Sequence, residues 1–243
     1  MKKILPALIT GLLLSSATRA DENPVTAEKL SDSVYVLFGQ GGNIAASVGE
    51  DGIYIIDDQF AKLSNDIKKT ISDLKPGSAE FVINTHHHGD HTGGNENFAK
   101  AGAHVIAHDN VHKRLEEKHG ANSDYLQRIS FGHDLKLHFN NEHAHVVHYA
   151  HAHTDGDSVI FFNNDNIVHM GDIYFNFGSL PFVDVDSGGS VDGILAAVND
   201  VIKQIDERTI VIPGHGPVSD RSGLVTYAKL VKKAKDLMLK AMQ

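Results

Sequence analysis

The chain contains no cysteine. Disulfides, iron–sulfur clusters, thiol nucleophiles and thiolate zinc sites are thereby excluded together. It also lacks an excess of positive charge: 22 Lys and Arg stand against 31 Asp and Glu, a formal charge of −9. An acidic chain binds polyanions poorly, so nucleic acid and anionic lipid surfaces are disfavoured as partners. No low-complexity tract is present, and no stretch after the first 20 residues is apolar enough to cross a membrane. At 41% hydrophobic and 22% charged residues the composition is that of a globular protein, not of long disorder, collagen or a coiled coil. The 243 residues suit one or two domains with a real core. Against these absences stand 17 histidines, a number that the acidic balance does not explain.

Residues 1–20 read as a secretory signal. Lys2 and Lys3 give a positive start, Ile4 to Leu14 is apolar apart from Thr10 and Gly11, and Thr18-Arg19-Ala20 permits cleavage after Ala20. The apolar run is short for a membrane anchor. The expectation is an exported protein, periplasmic or secreted, with residues 21–243 as a single domain.

Hydrophobic periodicity divides that domain into alternating strands and helices. Strands are expected at Val34–Phe38, Asn43–Val48, Ile53–Ile56, Phe81–Ile83 and Val105-Ile106. Others are expected at His133–Phe139, His143–Tyr149, Ser158–Phe162, Asn166–His169 and Thr209–Ile212. Helices are expected at Lys62–Leu74, Asn95–Lys100, Asn110–Lys118, Val191–Ile205 and about Gly223–Met242. The last carries an apolar face from Leu224 to Met238 with lysines mostly elsewhere, the pattern of a helix packed on a core. With no composition break between the halves, the reading is one α/β domain of two sheets with helices outside.

The strongest chemical signal is Thr85-His86-His87-His88-Gly89-Asp90-His91, directly after an apolar strand. In extended chain, residues two apart point the same way, so His86 and His88 can grip one ion while His87 faces away. Asp90 and His91 can reach a second ion. Imidazole with carboxylate suits zinc, iron or manganese. His153, Asp172 and His215 are three further candidates at the ends of expected strands.

This ordered set resembles the metallo-β-lactamase superfamily: His-x-His-x-Asp-His, then Gly93-Gly94-Asn95, His153 before Thr154, Gly171-Asp172 and Gly214-His215-Gly216. The resemblance runs over essentially the whole expected domain. It implies an αββα sandwich of two mixed sheets with outer helices and two ions, zinc by preference, at one edge. It further implies that His86, His88 and His153 hold the first ion, that Asp90, His91 and His215 hold the second, and that Asp172 bridges both. Asp57 matches an acidic residue that supports the metal loop from behind. His169 is either a support of the same kind or an ordinary buried, hydrogen-bonded histidine. The implied activity is hydrolysis of a small molecule, with a metal-bound hydroxide attacking a carbonyl carbon and Asp90 orienting it.

Exported β-lactamases of this size usually carry a cysteine where this chain has Asp172 and a lysine where it has Phe175. His91 with Asp172 is more similar to the glyoxalase II and lactonase side. A lactam, lactone or related ester is therefore the expected substrate, with β-lactamase activity of a weak or promiscuous kind. The alternative on the same scaffold is a mononuclear iron oxidoreductase of the persulfide dioxygenase type. Tyr174, Phe175, Phe177 and Phe182, in the loop after Asp172, are candidates for an apolar wall over the substrate, or else simply pack beneath the loop. Tyr174 or Asn176 could also assist an oxyanion. Gln40 to Asn43 falls near the family's substrate flap. A second histidine-rich stretch, His143, His145, His148 and His151, reads as solvated strand positions, with an accessory metal site as the alternative. His104, His108, His112, His119, His133 and His138 read as structural. Oligomeric state is left open.

Overall fold

Alternation along a strand gives it two faces, and here both are apolar. Ile53 and Ile55 join one buried cluster, while their neighbours Tyr54 and Ile56 join another. A sheet that is apolar on both sides needs cover on both sides. The computed structural model, which describes residues 24–243, meets that need with two sheets packed face to face and helices on their outer surfaces. The expected export segment, residues 1–20, lies outside the described residues.

The first sheet holds β1 (Thr26–Lys29), β2 (Val34–Phe38), β3 (Ile44–Val48), β4 (Ile53–Ile56), β5 (Phe81–Ile83), β6 (His104–His108) and β7 (Ile129–Phe131), neighbours in that order. Pairing is antiparallel as far as β4 and parallel from β4 to β7. The helices of this half are α1 (Ser64–Leu74), α2 (Gly89–Thr92), α3 (Asn95–Ala99) and α4 (Asp109–His119). The second sheet holds β8 (Asp134–Phe139), β9 (Glu142–His148), β10 (Ser158–Phe162), β11 (Ile167–His169), β12 (Ile210–Ile212) and β13 (Ser219–Asp220). Only β11 and β12 pair in parallel. Helices α5 (Val191–Gln204) and α6 (Arg221–Ala241) complete the chain. No helix among the described residues is long and apolar enough to cross a membrane.

Three apolar layers correspond to this stack. Val34, Val36, Tyr54, Ile56, Ile83 and Ile106 of the first sheet meet Val146, Ile160, Phe162 and Ile212 of the second in the middle of the sandwich. Ile67 and Ile71 of α1 and Phe98 of α3 cover the outer face of the first sheet. Ile194, Val198 and Val201 of α5, with Leu224, Tyr227 and Val231 of α6, cover the outer face of the second. The αββα sandwich expected from sequence is the observed fold.

The differences are local. Strand β1 was not anticipated because all four of its residues are exposed and carry no alternating pattern. The two residues of β13 are too few to show a period. The short helix α2 was hidden inside the histidine motif, and it proves important below.

The start of α5 is wedged against the loop that carries His153. Ser190 Oγ accepts from Gly193 N at 2.9 Å, capping the helix, and donates to the His151 carbonyl at 2.8 Å. A Cβ on Gly193 would overlap that carbonyl oxygen and reach 3.0 Å from Ala152 N. Backbone cannot yield as a flexible side chain does. Gly193→Ala is therefore expected to destabilise the fold by about 1–3 kcal/mol through overpacking, read as a lowered midpoint in denaturant unfolding. An unchanged midpoint would contradict this close packing.

Candidate metal centre

The site forms where β5 and its neighbours end. Beyond Ile83 the chain passes through Asn84 and Thr85 to His86, and α2 then turns it back after His88. That single turn carries His91 inward, where it is fully buried. His153 follows β9, Asp172 follows β11, and His215 follows β12.

These segments bring all seven expected ligands together. His88 Nδ1 lies 3.1 Å from His86 Nε2 and 3.0 Å from His153 Nε2. Asp172 Oδ2 stands 3.8 Å from His86 Nε2 and 3.6 Å from His153 Nε2. The other oxygen, Asp172 Oδ1, stands 3.1 Å from His91 Nε2 and 3.4 Å from His215 Nε2. Those two imidazole nitrogens are 3.3 Å apart, and Asp90 Oδ2 is 3.2 Å from His215 Nε2 and 3.7 Å from His91 Nε2. Donors on one tetrahedral ion with bonds near 2.0–2.1 Å are about 3.3–3.4 Å apart. The separations in both sets of four, from 3.0 to 3.8 Å, scatter around that value, and the sets share one carboxylate.

The histidine tautomers are set from behind. Asp57, fully buried at the end of β4, accepts from Thr85 N and Thr85 Oγ1 at 2.7 Å each and from His91 Nδ1 at 2.7 Å. His91 thereby turns its Nε2 toward the centre. Thr85 Oγ1, having donated its proton to Asp57, accepts from His86 Nδ1 at 3.0 Å, so His86 Nε2 also faces inward as a lone pair. The Phe182 carbonyl accepts from His153 Nδ1 at 2.9 Å, and Asp184 Oδ2 accepts from His88 Nε2 at 2.9 Å. His86, His88 and His153 thus turn an unprotonated nitrogen to the centre, as a ligand must, and His91 presents its Nε2 there for a cation to displace the proton it carries.

Charge is balanced only in part. Burial lowers the His86 and His153 imidazoles below their usual range, favouring the neutral form that binds metal. Burial also opposes ionisation of Asp172, but His91, His215 and His86 outweigh it and hold the carboxyl well below the ordinary carboxylate range. His215 is pushed up to about 9, burial being overcome by Asp172 and Asp90. Asp172 Oδ1 is nevertheless buried without a hydrogen bond of acceptable geometry. An ionised oxygen in that position is costly unless a cation faces it. The donor set, the spacing and this orphaned oxygen all fit two divalent ions.

The remaining candidates separate clearly. His169 does not touch the centre. Its Nε2 donates to the Asn43 carbonyl at 3.0 Å and its Nδ1 accepts from Gly171 N at 3.2 Å, which fixes the turn that presents Asp172. Phe175 and Phe182 line the open cleft above the ligand cluster with Phe60, His88, Gly89, Asp90, Asp172 and His215, a space of about 430 Å³. The Phe175 ring lies parallel to His215, centroids 5.5 Å apart. Tyr174 is a correction: at 1% exposure it belongs to the core, its hydroxyl 2.9 Å from Ser219 Oγ and its ring against Tyr227. It forms no wall of the cleft, because the chain turns between Asp172 and Phe175 and sends alternate side chains to opposite sides. Phe177, 64% exposed, also lies outside the cleft lining. The Gln40–Asn43 turn braces the site: Asn43 Nδ2 donates to the carbonyls of Pro213 at 2.9 Å and Gly216 at 2.8 Å, clamping the His215 loop. Asn176 Nδ2 donates outward to Pro217 O.

Sequence reasoning missed Asp184 and Phe60. Asp184 sits in an irregular loop, where no periodicity links it to His88; only its hydrogen bond reveals it. Asp58, next to Asp57, is fully buried and accepts from Gly94 N at 2.8 Å.

A sequence profile described as the metallo-β-lactamase superfamily matches residues 59–219. The chain belongs to the metallo-β-lactamase superfamily. Among curated members, it is 27% identical over 139 residues to a probable hydroxyacylglutathione hydrolase of Schizosaccharomyces pombe, covering 56% of this chain and 48% of that protein. It is 28% identical over 137 residues to a hydroxyacylglutathione hydrolase of Pelagibacter ubique, covering 56% and 51% respectively. The chain therefore spans about half the length of the curated relatives it matches. Among solved structures, a metallo-β-lactamase from Pontibacter korlensis superposes with a TM-score of 0.76 at 16% identity, over 86% of this chain and 99% of that one. The metallo-β-lactamase DIM-1 superposes with a TM-score of 0.75 at 17% identity, over 86% and 98%. These superpositions establish the fold.

Two substitutions probe the superfamily site. His88→Ala is expected to lose the ion of its set. Asp57→Ala, which frees both Thr85 and His91, is expected to weaken metal binding by about 10- to 100-fold. Metal analysis after dialysis against a graded chelator reads both. Full metal retention in either variant would contradict the assignments.

Proposed function

We propose that the chain is a dinuclear zinc hydrolase that opens a carbonyl–heteroatom bond in a lactam, lactone or ester, β-lactams among them. One observation carries this reading: the two oxygens of Asp172 face two separate ligand sets, each with its own histidines. A mononuclear iron oxidoreductase would use one set and leave the other without a task. The relatives named hydroxyacylglutathione hydrolases support hydrolysis as the reaction class. Imidazole with carboxylate suits zinc, and iron or manganese would accept the same donors. The amino-terminal pattern adds an exported location to the proposal.

Ions held in the two sets would polarise a carbonyl oxygen and lower the pKa of a water held there to about 7. The protein contributes placement. The Asp90 carboxylate, partly open to the cleft, is positioned to accept a hydrogen bond from the attacking water and aim its lone pair. Phe60, Phe175 and Phe182 supply an apolar rim that orients a small substrate and thins out competing water. The space of about 430 Å³ suits a small molecule.

The test is a panel of a β-lactam, an acyl lactone, a thioester and a phosphodiester, offered to the zinc-loaded protein. Cleavage of at least one carbonyl substrate, lost on chelation and restored by zinc, is expected. Cleavage of the phosphodiester alone would overturn the carbonyl reading, and turnover that survives chelation would overturn the metal reading.

A further inference from the structure

Away from the metal centre, β8 and β9 form a hairpin whose tip is unusually well defined. Phe139 pairs with Glu142, leaving Asn140 and Asn141 as a two-residue turn. Both have φ of +57°, the left-handed conformation that a type I′ turn requires at its two central positions and that asparagine tolerates. In such a hairpin the pair closing the turn exchanges backbone hydrogen bonds. The next pair is of the non-hydrogen-bonded kind, where Cα atoms approach to about 4.5 Å and side chains lie closest. That next pair is His138 and His143.

The turn cannot easily slip. Asn140 N donates to Asp51 Oδ2 at 2.7 Å, and Asn140 Nδ2 donates to Ser47 Oγ at 3.1 Å and to the Gly52 carbonyl at 3.2 Å. Glu142, buried, accepts from Asn164 N at 2.9 Å and from Asp165 N at 3.1 Å. Asn163 Nδ2 donates to the His143 carbonyl at 2.6 Å. The backbone under the two histidines is thus tied to two other segments, residues 47–52 and 163–165, while both imidazoles stay exposed to solvent.

The two rings meet with His138 Nδ1 only 2.6 Å from His143 Nδ1, centroids 4.8 Å apart and planes at 75°. Facing ring nitrogens repel each other unless a proton or a cation lies between them. Two nitrogens bound to one ion at about 2.0 Å are about 2.8–2.9 Å apart at a right angle and about 3.3 Å apart in a tetrahedron. The observed separation is shorter than either and is that of a hydrogen bond between the two rings, whose exposed side chains need only a small rotation to open the right-angled bite. That geometry, with neutral imidazole donors, suits a tetragonal ion, and among divalent first-row metals copper binds such donors most strongly.

We propose that His138 and His143 form a second, surface metal site that chelates Cu²⁺ through both Nδ1 atoms, with water completing the coordination. The site is separate from the seven ligands described above and holds whatever the hydrolytic substrate proves to be. Asp134, 2.8 Å from His145 Nε2 further along the same hairpin, adds negative charge nearby, and neither residue takes part in the chelate.

The zinc-loaded protein is titrated with copper sulfate, and bound copper and retained zinc are measured together by equilibrium dialysis and electron paramagnetic resonance. Wild type is expected to take up one copper with no loss of zinc, giving an axial signal with couplings to two imidazole nitrogens. His138→Gln and His143→Gln are each expected to weaken that copper at least tenfold and to remove the two-nitrogen pattern. Zinc content and hydrolysis should stay as in wild type, since neither ring touches the hydrolytic site. Wild type that takes up copper only by displacing zinc would overturn the proposal. So would variants whose copper affinity and spectrum match wild type.

Discussion

Asp172 is a carboxylate placed where water cannot solvate it. Ionised and buried, it would cost several kcal/mol if left alone. Its Oδ2 looks toward His86 and His153, and its Oδ1 toward His91 and His215. Neutral imidazole lone pairs aimed at an anionic oxygen are mutually repulsive. The arrangement becomes favourable only when positive charge fills both gaps. In the metal-free protein, protons on His91 and His215 supply part of that charge, His91 being raised well above its usual range by Asp172 and Asp57 against the opposing effect of burial. Divalent ions would supply the charge in full and displace those protons.

The rest of the site serves that requirement. A ligand histidine must be neutral, in one tautomer and immobile, and each of these is secured by a different element. Asp57 at the end of β4 ties both ends of the histidine motif and fixes His91 directly and His86 through Thr85. A backbone carbonyl fixes His153, Asp184 fixes His88, and His169 fixes the turn at Gly171. Because the partners come from both sheets, the sandwich does more than bury apolar area. It sets the distance between two halves of a site whose ligands are spread from His86 to His215.

Much of this was legible in the sequence, for definite physical reasons. Ile53–Ile56, Phe81–Ile83 and Ser158–Phe162 are central strands that are apolar apart from Ser158, so their pattern survives any tertiary context. The ligand motif was legible because His-x-His in extended chain has few other uses. What escaped notice depends on contacts between distant residues. Asp184 lies in a loop without periodicity. Tyr174 read as a substrate contact because an aromatic residue next to a metal ligand has no local mark of which way it points; its burial against Tyr227 follows from how α6 packs. Strand β1 has no buried face to reveal it. His138 read as structural because the register that sets it opposite His143 comes from the left-handed conformation of Asn140 and Asn141.

Anomalous X-ray diffraction at the zinc edge from crystals of the reconstituted protein addresses Asp172 most directly. Two peaks are predicted, one within bonding distance of Oδ2, His86, His88 and His153, the other of Oδ1, Asp90, His91 and His215. A single peak at full zinc loading, or two peaks with the Asp172 carboxylate bound to only one of them, would contradict the account.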